Sequence, residues 1–128
     1  MVTLIGMGSG SWEALSVQAQ DAVRRAGLVF GAKRLLAGLP PECTARQFAL
    51  YQPAEILETL AQAPGQDAAV LYSGDTGFYS GASGLLTPLR ALGIPARVYP
   101  GVSSIQLLAA ALGRPWQDWK LVSAHGCA

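Results

Sequence analysis

Apolar and polar residues follow two different spacings along the chain. Short apolar runs indicate buried strands, whereas apolar residues three or four positions apart indicate helices. The runs fall at residues 2–5, 28–30, 46–49, 68–72, 96–99 and 120–124. Helical spacing covers residues 14–23, 53–60, 85–89 and 105–112. This alternation predicts a single α/β domain of three layers, with a mostly parallel sheet of about five strands.

Capping and breaking residues mark the ends of the predicted helices. Ser11 or Ser16 can cap the first helix, because serine is a favoured residue at that position. Pro53 fits the first turn of the next helix, where its missing N–H is harmless. Gly113 follows the last helical segment, as expected for a terminating glycine.

Length and composition limit the class of protein. The chain has 128 residues, of which 51% are hydrophobic and 13% charged, which is enough for one domain with its own core. Its net charge of +1 argues against bulk binding to nucleic acid or to an anionic membrane, and leaves binding of one small anion open. The run at residues 2–5 is too short for a signal peptide or a membrane span, so we expect a cytoplasmic protein.

Cysteine and histidine usage indicates neither a metal site nor a disulfide framework. Cys43 and Cys127 lie far apart, outside any Cys-x-x-Cys pair, so we expect free thiols in a reducing compartment. His125 follows Ser123 by two residues, but no orienting acid or oxyanion signature accompanies them, which argues against a catalytic pair. The tryptophans within residues 116–119 are expected to pack under the last strand.

Ligands of an open parallel sheet bind beyond the carboxyl ends of the strands, so the loops after the strands are candidate sites. The first, GMGSGS at residues 6–11, has glycines that let the backbone approach a ligand closely. The dinucleotide fingerprint fails at Ser11, and FGAKR at residues 30–34 supplies no acid for a ribose. These failures disfavour a nicotinamide, flavin or common Rossmann-type methyltransferase site. No Walker loop or Gly-x-Ser-x-Gly elbow occurs.

Three further loops carry candidate binding residues. Lys33 and Arg34 follow the second strand, where they either receive substrate carboxylates or are solvated in a loop or at a helix start. Asp75 lies in the stretch SGDTGFYSG, and its carboxylate either caps the next helix or accepts hydrogen bonds from a ligand. Ser103 and Ser104 either cap the last helix or offer hydroxyls to a ligand.

Taken together, these loops resemble the N-terminal domain of the tetrapyrrole methylase family, whose members transfer methyl groups from S-adenosylmethionine. The resemblance rests on LIGMGSG at residues 4–10, GDTGFY at residues 74–79 and YPGVSSIQ at residues 99–106. The stretches FGAKR, SGDTGFYSGA and VSAHG are similar to those of the branch that methylates precorrins at C5. Many members have proline where this chain has Thr76.

The resemblance implies S-adenosylmethionine as cofactor and methylation of C5 of a precorrin in cobalamin biosynthesis, with precorrin-6Y, precorrin-7 or a cobalt form as substrate. Displacement at an activated methyl group depends more on positioning and desolvation than on a protein nucleophile or a metal, and we identify no catalytic residue. Lys33 and Arg34 are expected to receive substrate carboxylates. The cofactor contacts implied by position are Ser9, Gly74, Asp75, Phe78, Ser103 and Ser104.

The resemblance also implies a second α/β domain, placed after residues 125–126. Residues 1–128 are then the N-terminal domain alone, with part of the cofactor pocket and weak or no methyl transfer by themselves. For a full-length form it implies a homodimer and a C15-methylating decarboxylase partner, fused or separate. Two alternatives stay open: a related methylase acting on ribosomal RNA or the diphthamide precursor, and a noncatalytic α/β binding module. The near-neutral charge gives the RNA alternative no support.

Overall fold

The computed structural model describes residues 1–77 and 80–122. The strands within them are β1 (Val2–Gly6), β2 (Leu28–Phe30), β3 (Arg46–Phe48), β4 (Ala68–Tyr72) and β5 (Ala96–Tyr99). The helices are α1 (Val17–Arg25), α2 (Lys33–Leu36), α3 (Pro53–Ala61), α4 (Ala82–Ala91) and α5 (Ser104–Leu112), and a 3₁₀ turn covers Trp12–Ala14. Strands and helices therefore alternate as the apolar pattern predicts.

The strands form one parallel sheet in the order β3-β2-β4-β1-β5. The first strand lies between β4 and β5, and its Ile5 is in register with Leu71 on one side and Tyr99 on the other. Parallel neighbours need crossover connections, which the intervening helices provide. The predicted α/β class with a parallel sheet is confirmed, and the carboxyl ends of the strands share one edge.

Helices cover both faces of the sheet, which gives the three predicted layers. One buried cluster joins Ile5 and Leu71 to residues of α1 and α2. The other joins Leu4, Phe30 and Val70 to residues of α3 and α4. Because both faces are covered, all residues of β1 are buried, and the strand reads as a continuous apolar run rather than an alternating one.

Local sequence signals account for several helix ends. Ser16 rather than Ser11 caps α1, because the Ser16 hydroxyl accepts a hydrogen bond from the Ala19 N–H at 3.2 Å. Pro53 begins α3, as its sequence position predicts. Gly113 ends α5 in the left-handed conformation, with a φ of 65°. Each of these ends follows from the capping chemistry of a single residue type.

The last predicted strand differs from the structure. Residues 120–124 are predicted as a strand, but residues 120–122 are irregular and the other two lie outside the described residues. A strand of a parallel sheet is buried on both faces. Val122 is 80% exposed, so the described part of this run does not meet that requirement. Trp116 is 38% exposed, so the prediction that it packs under a last strand is also wrong.

Two further sequence predictions concern the cysteines and membrane-spanning segments. Cys43 is a free thiol in the core, and burial raises its pKa. Ser123, His125 and Cys127 lie outside the described residues. Within the described ranges, no helix is both long and apolar enough to cross a lipid bilayer.

Candidate functional site

An open cavity of about 920 Å³ lies at the carboxyl edge of the sheet. Its volume falls within the range of about 300–1,000 Å³ that is common for small-molecule sites. Each strand contributes residues from the segment that follows it, which agrees with the general position of ligands in open parallel sheets. Six of the residues singled out in the sequence line this cavity: Ser9, Arg34, Gly74, Asp75, Ser103 and Ser104.

Two glycines join the loops after β1 and β4. The Gly8 N–H donates to the Gly74 carbonyl at 3.1 Å, and the Gly74 N–H donates to the Gly8 carbonyl at 2.9 Å. Both residues have a positive φ, of 60° and 67°, which favours glycine because it has no Cβ. The loop of Ser9 is thus fixed to the loop of Asp75.

The end of β1 lies between the loops after β4 and β5, with no space for side chains. A Cβ on Gly6 would lie 2.6 Å from Gly101 N and 2.7 Å from the Gly74 carbonyl oxygen. A Cβ on Gly101 would overlap the carbonyl oxygens of both Gly6 and Gly74. We call Gly6, Gly74 and Gly101 the glycine junction, and it brings three cavity-forming loops into direct backbone contact.

Asp75 connects its own loop to the loop after β5. Its Oδ1 accepts a hydrogen bond from the Gly101 N–H at 3.1 Å, and its Oδ2 accepts one from the Gly77 N–H at 3.2 Å. The reading of Asp75 as a cap for the following helix is wrong, because α4 begins after Gly81 with no side-chain cap. The carboxylate lines the cavity, and each oxygen retains lone pairs for a ligand donor.

Ser103 caps α5 through a reciprocal pair of hydrogen bonds with Gln106. The Gln106 N–H donates to the Ser103 hydroxyl at 3.3 Å, and the Ser103 N–H donates to the Gln106 Oε1 at 2.7 Å. The Ser103 hydroxyl still has its own proton to donate. Ser104 is exposed in the first turn of α5 and faces the cavity. Ser103 is therefore the cap of α5, and both serines line the cavity, where ligand contact by either stays a prediction.

The two predicted cations lie in the first turn of α2, not in an extended loop. Both side chains are exposed. Arg34 lines the cavity, and it is the one basic residue among the described lining residues, whereas Lys33 is not part of that lining. The geometry therefore gives the two adjacent cations different positions relative to the site.

Two tyrosines at the cavity were missed in the sequence. Tyr51 lies in the segment after β3, where ligand contacts are expected. The strand β3 has only a weak apolar pattern, so the sequence does not mark its end clearly. Tyr72 ends β4, and burial raises its pKa to about 12. Its hydroxyl is buried without a hydrogen-bond partner among the described residues. Phe78, a predicted cofactor contact, lies outside them.

The lining of the cavity combines hydroxyls and backbone groups with apolar side chains. Ser9 and Ser104 are exposed to it, while Leu35 and Ile105 contribute apolar surface. Arg34 and Asp75 are the charged residues of its described lining. Such a mixture suits an amphiphilic small molecule with several polar groups. The arrangement is built for binding and orientation.

The parallel α/β domain with a cavity at its carboxyl edge has the architecture of doubly wound domains, which commonly bind small molecules at that edge. The family model of tetrapyrrole (corrin/porphyrin) methylases matches residues 1–127. The chain belongs to this family, and the resemblance seen in the loops is confirmed.

Individual proteins of known function or structure are also similar to this chain. The chain is 34% identical over 128 residues to the cobalt-precorrin-7 C(5)-methyltransferase of Salmonella typhimurium, covering 98% of this chain and 62% of that protein. The methyltransferase CobJ is structurally similar, with a TM-score of 0.75, 27% identity and coverage of 89% of this chain and 51% of that one. The uroporphyrin-III C-methyltransferase of Thermus thermophilus, solved with S-adenosylhomocysteine, gives a TM-score of 0.69 at 25% identity, covering 94% and 51%. The chain thus spans less than two thirds of the length of each of these three proteins.

Proposed function

We propose that this domain binds S-adenosylmethionine in the cavity and forms the N-terminal half of a precorrin C-methyltransferase. The proposed reaction is methylation of C5 of precorrin-6Y or precorrin-7, or of the cobalt form, in cobalamin biosynthesis. One observation carries the proposal: Ser9, Gly74, Asp75, Ser103 and Ser104 come from three separate loops and line one cavity. The similarity to the Salmonella C(5)-methyltransferase supports the choice of substrate.

The residues present fit this cofactor. The glycine junction packs the backbone of three loops together, so it fixes their relative positions, and its Gly74 lines the cavity. Ser9, Ser103 and Ser104 have hydroxyls for the polar groups of an adenosyl amino acid, and Asp75 has acceptor oxygens for its hydroxyl or amino donors. Apolar lining residues, Leu35 and Ile105 among them, offer surface for the adenine ring. The site therefore matches the cofactor in both its polar and its apolar parts.

The bound cofactor supplies an electrophilic methyl group on sulfur. The protein contributes binding, orientation and exclusion of water, which are the main requirements of an in-line displacement at an activated carbon. The α5 serines and the loop of Ser9 orient the cofactor, and the sheet edge closes one side of the cavity. Arg34, with Lys33 beside it, receives carboxylates of the tetrapyrrole at the cavity rim.

The proposal includes a second domain that completes the pocket. Its support is an uncovered apolar surface near the end of the described residues. The α5 sequence SIQLLAAAL contains no charged residue, and a helix that is apolar all round is normally buried. The exposed apolar residues of this region are Val98, Val102, Leu107, Leu108, Leu112, Trp116 and Val122.

Assembly and location belong to the same proposal. We place the complete enzyme in the cytoplasm as a homodimer, acting with a C15-methylating decarboxylase that is fused or separate. The precorrin intermediates of such a pathway pass between enzymes that methylate different carbons, which supports a shared location. Gel filtration and co-purification of the two-domain form with the decarboxylase test these statements.

Calorimetry with S-adenosylhomocysteine tests the proposed cofactor site. The titration compares this chain with a fusion in which the residues of the Salmonella relative beyond the match follow residue 127. We expect weak binding by the chain and at least about tenfold tighter binding by the fusion, because the second domain adds contacts and excludes water. The fusion is also expected to methylate a precorrin, while the chain alone does so weakly or not at all. Absence of binding by both proteins would contradict the proposal and favour a noncatalytic module.

A further inference from the structure

Two adjacent side chains of the loop after β4 hold the turn that follows β5. The Thr76 Oγ1 donates a hydrogen bond to the Tyr99 carbonyl at 3.4 Å. The Gly101 N–H donates one to the Asp75 Oδ1 at 3.1 Å. The two bonds lie on either side of Pro100, which has no N–H of its own. We call this arrangement of Asp75 and Thr76 on the turn the β5 clasp.

The β5 clasp connects two strands that are not neighbours. The sheet order places β1 between β4 and β5, so the clasp passes over the end of β1, where Gly6 lies without space for a side chain. β5 is an edge strand that pairs only with β1 among the described strands, and this pairing ends at Tyr99. Beyond Tyr99, the chain that leads to α5 is held by Asp75 and Thr76.

The position of the clasp determines where α5 begins. Ser103, the cap of α5, is two residues beyond Gly101, so a shift of the turn moves the α5 serines relative to the loop of Ser9. Asp75 also lines the cavity, but Thr76 is not among its described lining residues. The described hydrogen bond of the Thr76 hydroxyl is with the Tyr99 carbonyl, so its contribution can be separated from that of the residues that line the cavity.

We propose that Thr76, acting with Asp75, is a positioning residue that sets the distance between the start of α5 and the first glycine loop, and so the affinity for the cofactor. The inference rests on the proposed cofactor site. The hydrogen bond from the Thr76 hydroxyl to the Tyr99 carbonyl is the contact that carries this role. Its loss leaves the direct cofactor contacts in place and reduces their preorganisation.

Titrations of S-adenosylhomocysteine into this chain, followed by amide NMR shifts, test the inference because they measure weak binding. Thr76→Val removes the hydroxyl at nearly constant volume and is expected to weaken binding about threefold to tenfold, in line with the loss of one hydrogen bond. Thr76→Ser retains the hydroxyl and is expected to bind like the native chain. Thr87→Val is the matched control, because the Thr87 Oγ1 donates to the Ser83 carbonyl at 3.2 Å on the exposed side of α4.

A second readout reports on the turn itself. Amide hydrogen exchange at Gly101 is expected to accelerate in Thr76→Val and to stay native-like in Thr76→Ser and Thr87→Val. Equal affinity of Thr76→Val and the native chain, or an equal loss in Thr87→Val, would overturn the inference while leaving the cofactor site intact. If the native chain does not bind measurably, the same variants are compared in the two-domain fusion; failure of both native proteins to bind would overturn the proposed function, and with it this inference.

Discussion

Gly101 shows how a single missing methyl group permits the site to form. Its Cβ position is occupied by carbonyl oxygens of Gly6 and Gly74, and backbone atoms cannot move aside as the end of a flexible side chain can. The constraint is one of space, because Gly101 is not among the glycines with positive φ. A glycine loop is visible in the sequence, but which glycine lacks space depends on contacts between three loops.

Gly101→Ala is therefore expected to lower the free energy of unfolding by about 2 kcal/mol, through overpacking of the glycine junction. Gly84→Ala is the matched control, because its Cβ would meet only Pro53 at an ordinary 3.8 Å inside α4. That change should stabilise the chain by about 0.5–1 kcal/mol, since alanine favours the helix. Urea unfolding measures both, and stabilisation by both alanines would show that the junction has space after all.

Tyr72 gives a pH-dependent contribution to stability. Burial raises its pKa from 10.0 to about 12, so both the folded and unfolded chains hold the neutral phenol below pH 10. Between pH 10 and about pH 12 the unfolded chain loses this proton while the folded chain retains it, so stability falls as the pH rises.

Tyr72→Phe is expected to reduce the loss of stability at alkaline pH. It is also expected to raise the free energy of unfolding near neutral pH by about 1 kcal/mol, because it removes a buried hydroxyl that has no hydrogen-bond partner among the described residues. Tyr51→Phe is the control, since Tyr51 is 62% exposed. Urea unfolding at pH values between 7 and 12 tests the prediction. Parallel alkaline profiles for the native chain and Tyr72→Phe would contradict it.

Arg34 and Lys33 differ in position although they are adjacent in sequence. Arg34→Glu is expected to weaken binding of an octacarboxylate porphyrin to the two-domain fusion about tenfold, by removing an attraction and adding a repulsion. Lys33 is not part of the cavity lining. Lys33→Glu should therefore weaken porphyrin binding by less than about threefold, as expected for an exposed charge. Fluorescence titration at fixed ionic strength measures both. Equal effects would indicate unspecific attraction rather than a defined carboxylate contact.

The candidate site was predictable at the level of loops but not of individual contacts. The rule that ligands bind beyond the carboxyl ends of strands led to the first glycine loop, Asp75 and Ser104 without any coordinates, and the family resemblance singled out Ser9 within that loop. The bond between Asp75 and Gly101 joins residues 26 positions apart, so no local pattern reveals it. Tyr72 reads simply as the end of a strand.

At the scale of elements, the strands with two buried faces were the easiest to predict. β1 and β4 are continuous apolar runs because helices cover both sides of the sheet. For the short helix α2, the sequence left a loop and a helix start as alternatives, whereas the segment at residues 120–122 was wrongly predicted as part of a strand. A four-residue helix gives too little periodicity to detect, and an apolar run is also produced by a surface that another domain can cover.

The start of α5 separates a structural serine from an exposed one. Ser103→Ala removes the cap and is expected to lower the free energy of unfolding by about 1 kcal/mol, together with the affinity for S-adenosylhomocysteine. Ser104→Ala should change stability by less than about 0.5 kcal/mol while weakening cofactor binding. Urea unfolding and calorimetry on each variant distinguish the two roles. Native-like binding by Ser104→Ala would remove Ser104 from the cofactor contacts.

At the scale of the whole molecule, the distribution of exposed apolar residues is uneven. Most of the large exposed apolar side chains of the described residues lie between Val98 and Val122, and two of them, Leu107 and Val122, line the cavity. The Salmonella relative is longer than the matched region, since the match covers 62% of it. A surface of this kind on a ligand-binding domain is typical of an interface with a further domain.

Replacing Leu108 and Leu112 by glutamine tests whether α5 forms that interface. The two side chains are 50% and 55% exposed, so the double variant of the isolated chain should unfold within about 0.5 kcal/mol of the native chain. In the fusion with the downstream residues of the Salmonella relative, the same double change is expected to lower the free energy of unfolding by about 2–4 kcal/mol. The reason is that it removes apolar area buried between the domains. Unfolding of the four proteins forms a double-mutant cycle. Equal changes in both backgrounds would mean that α5 stays solvent-exposed and that the second domain contacts another surface.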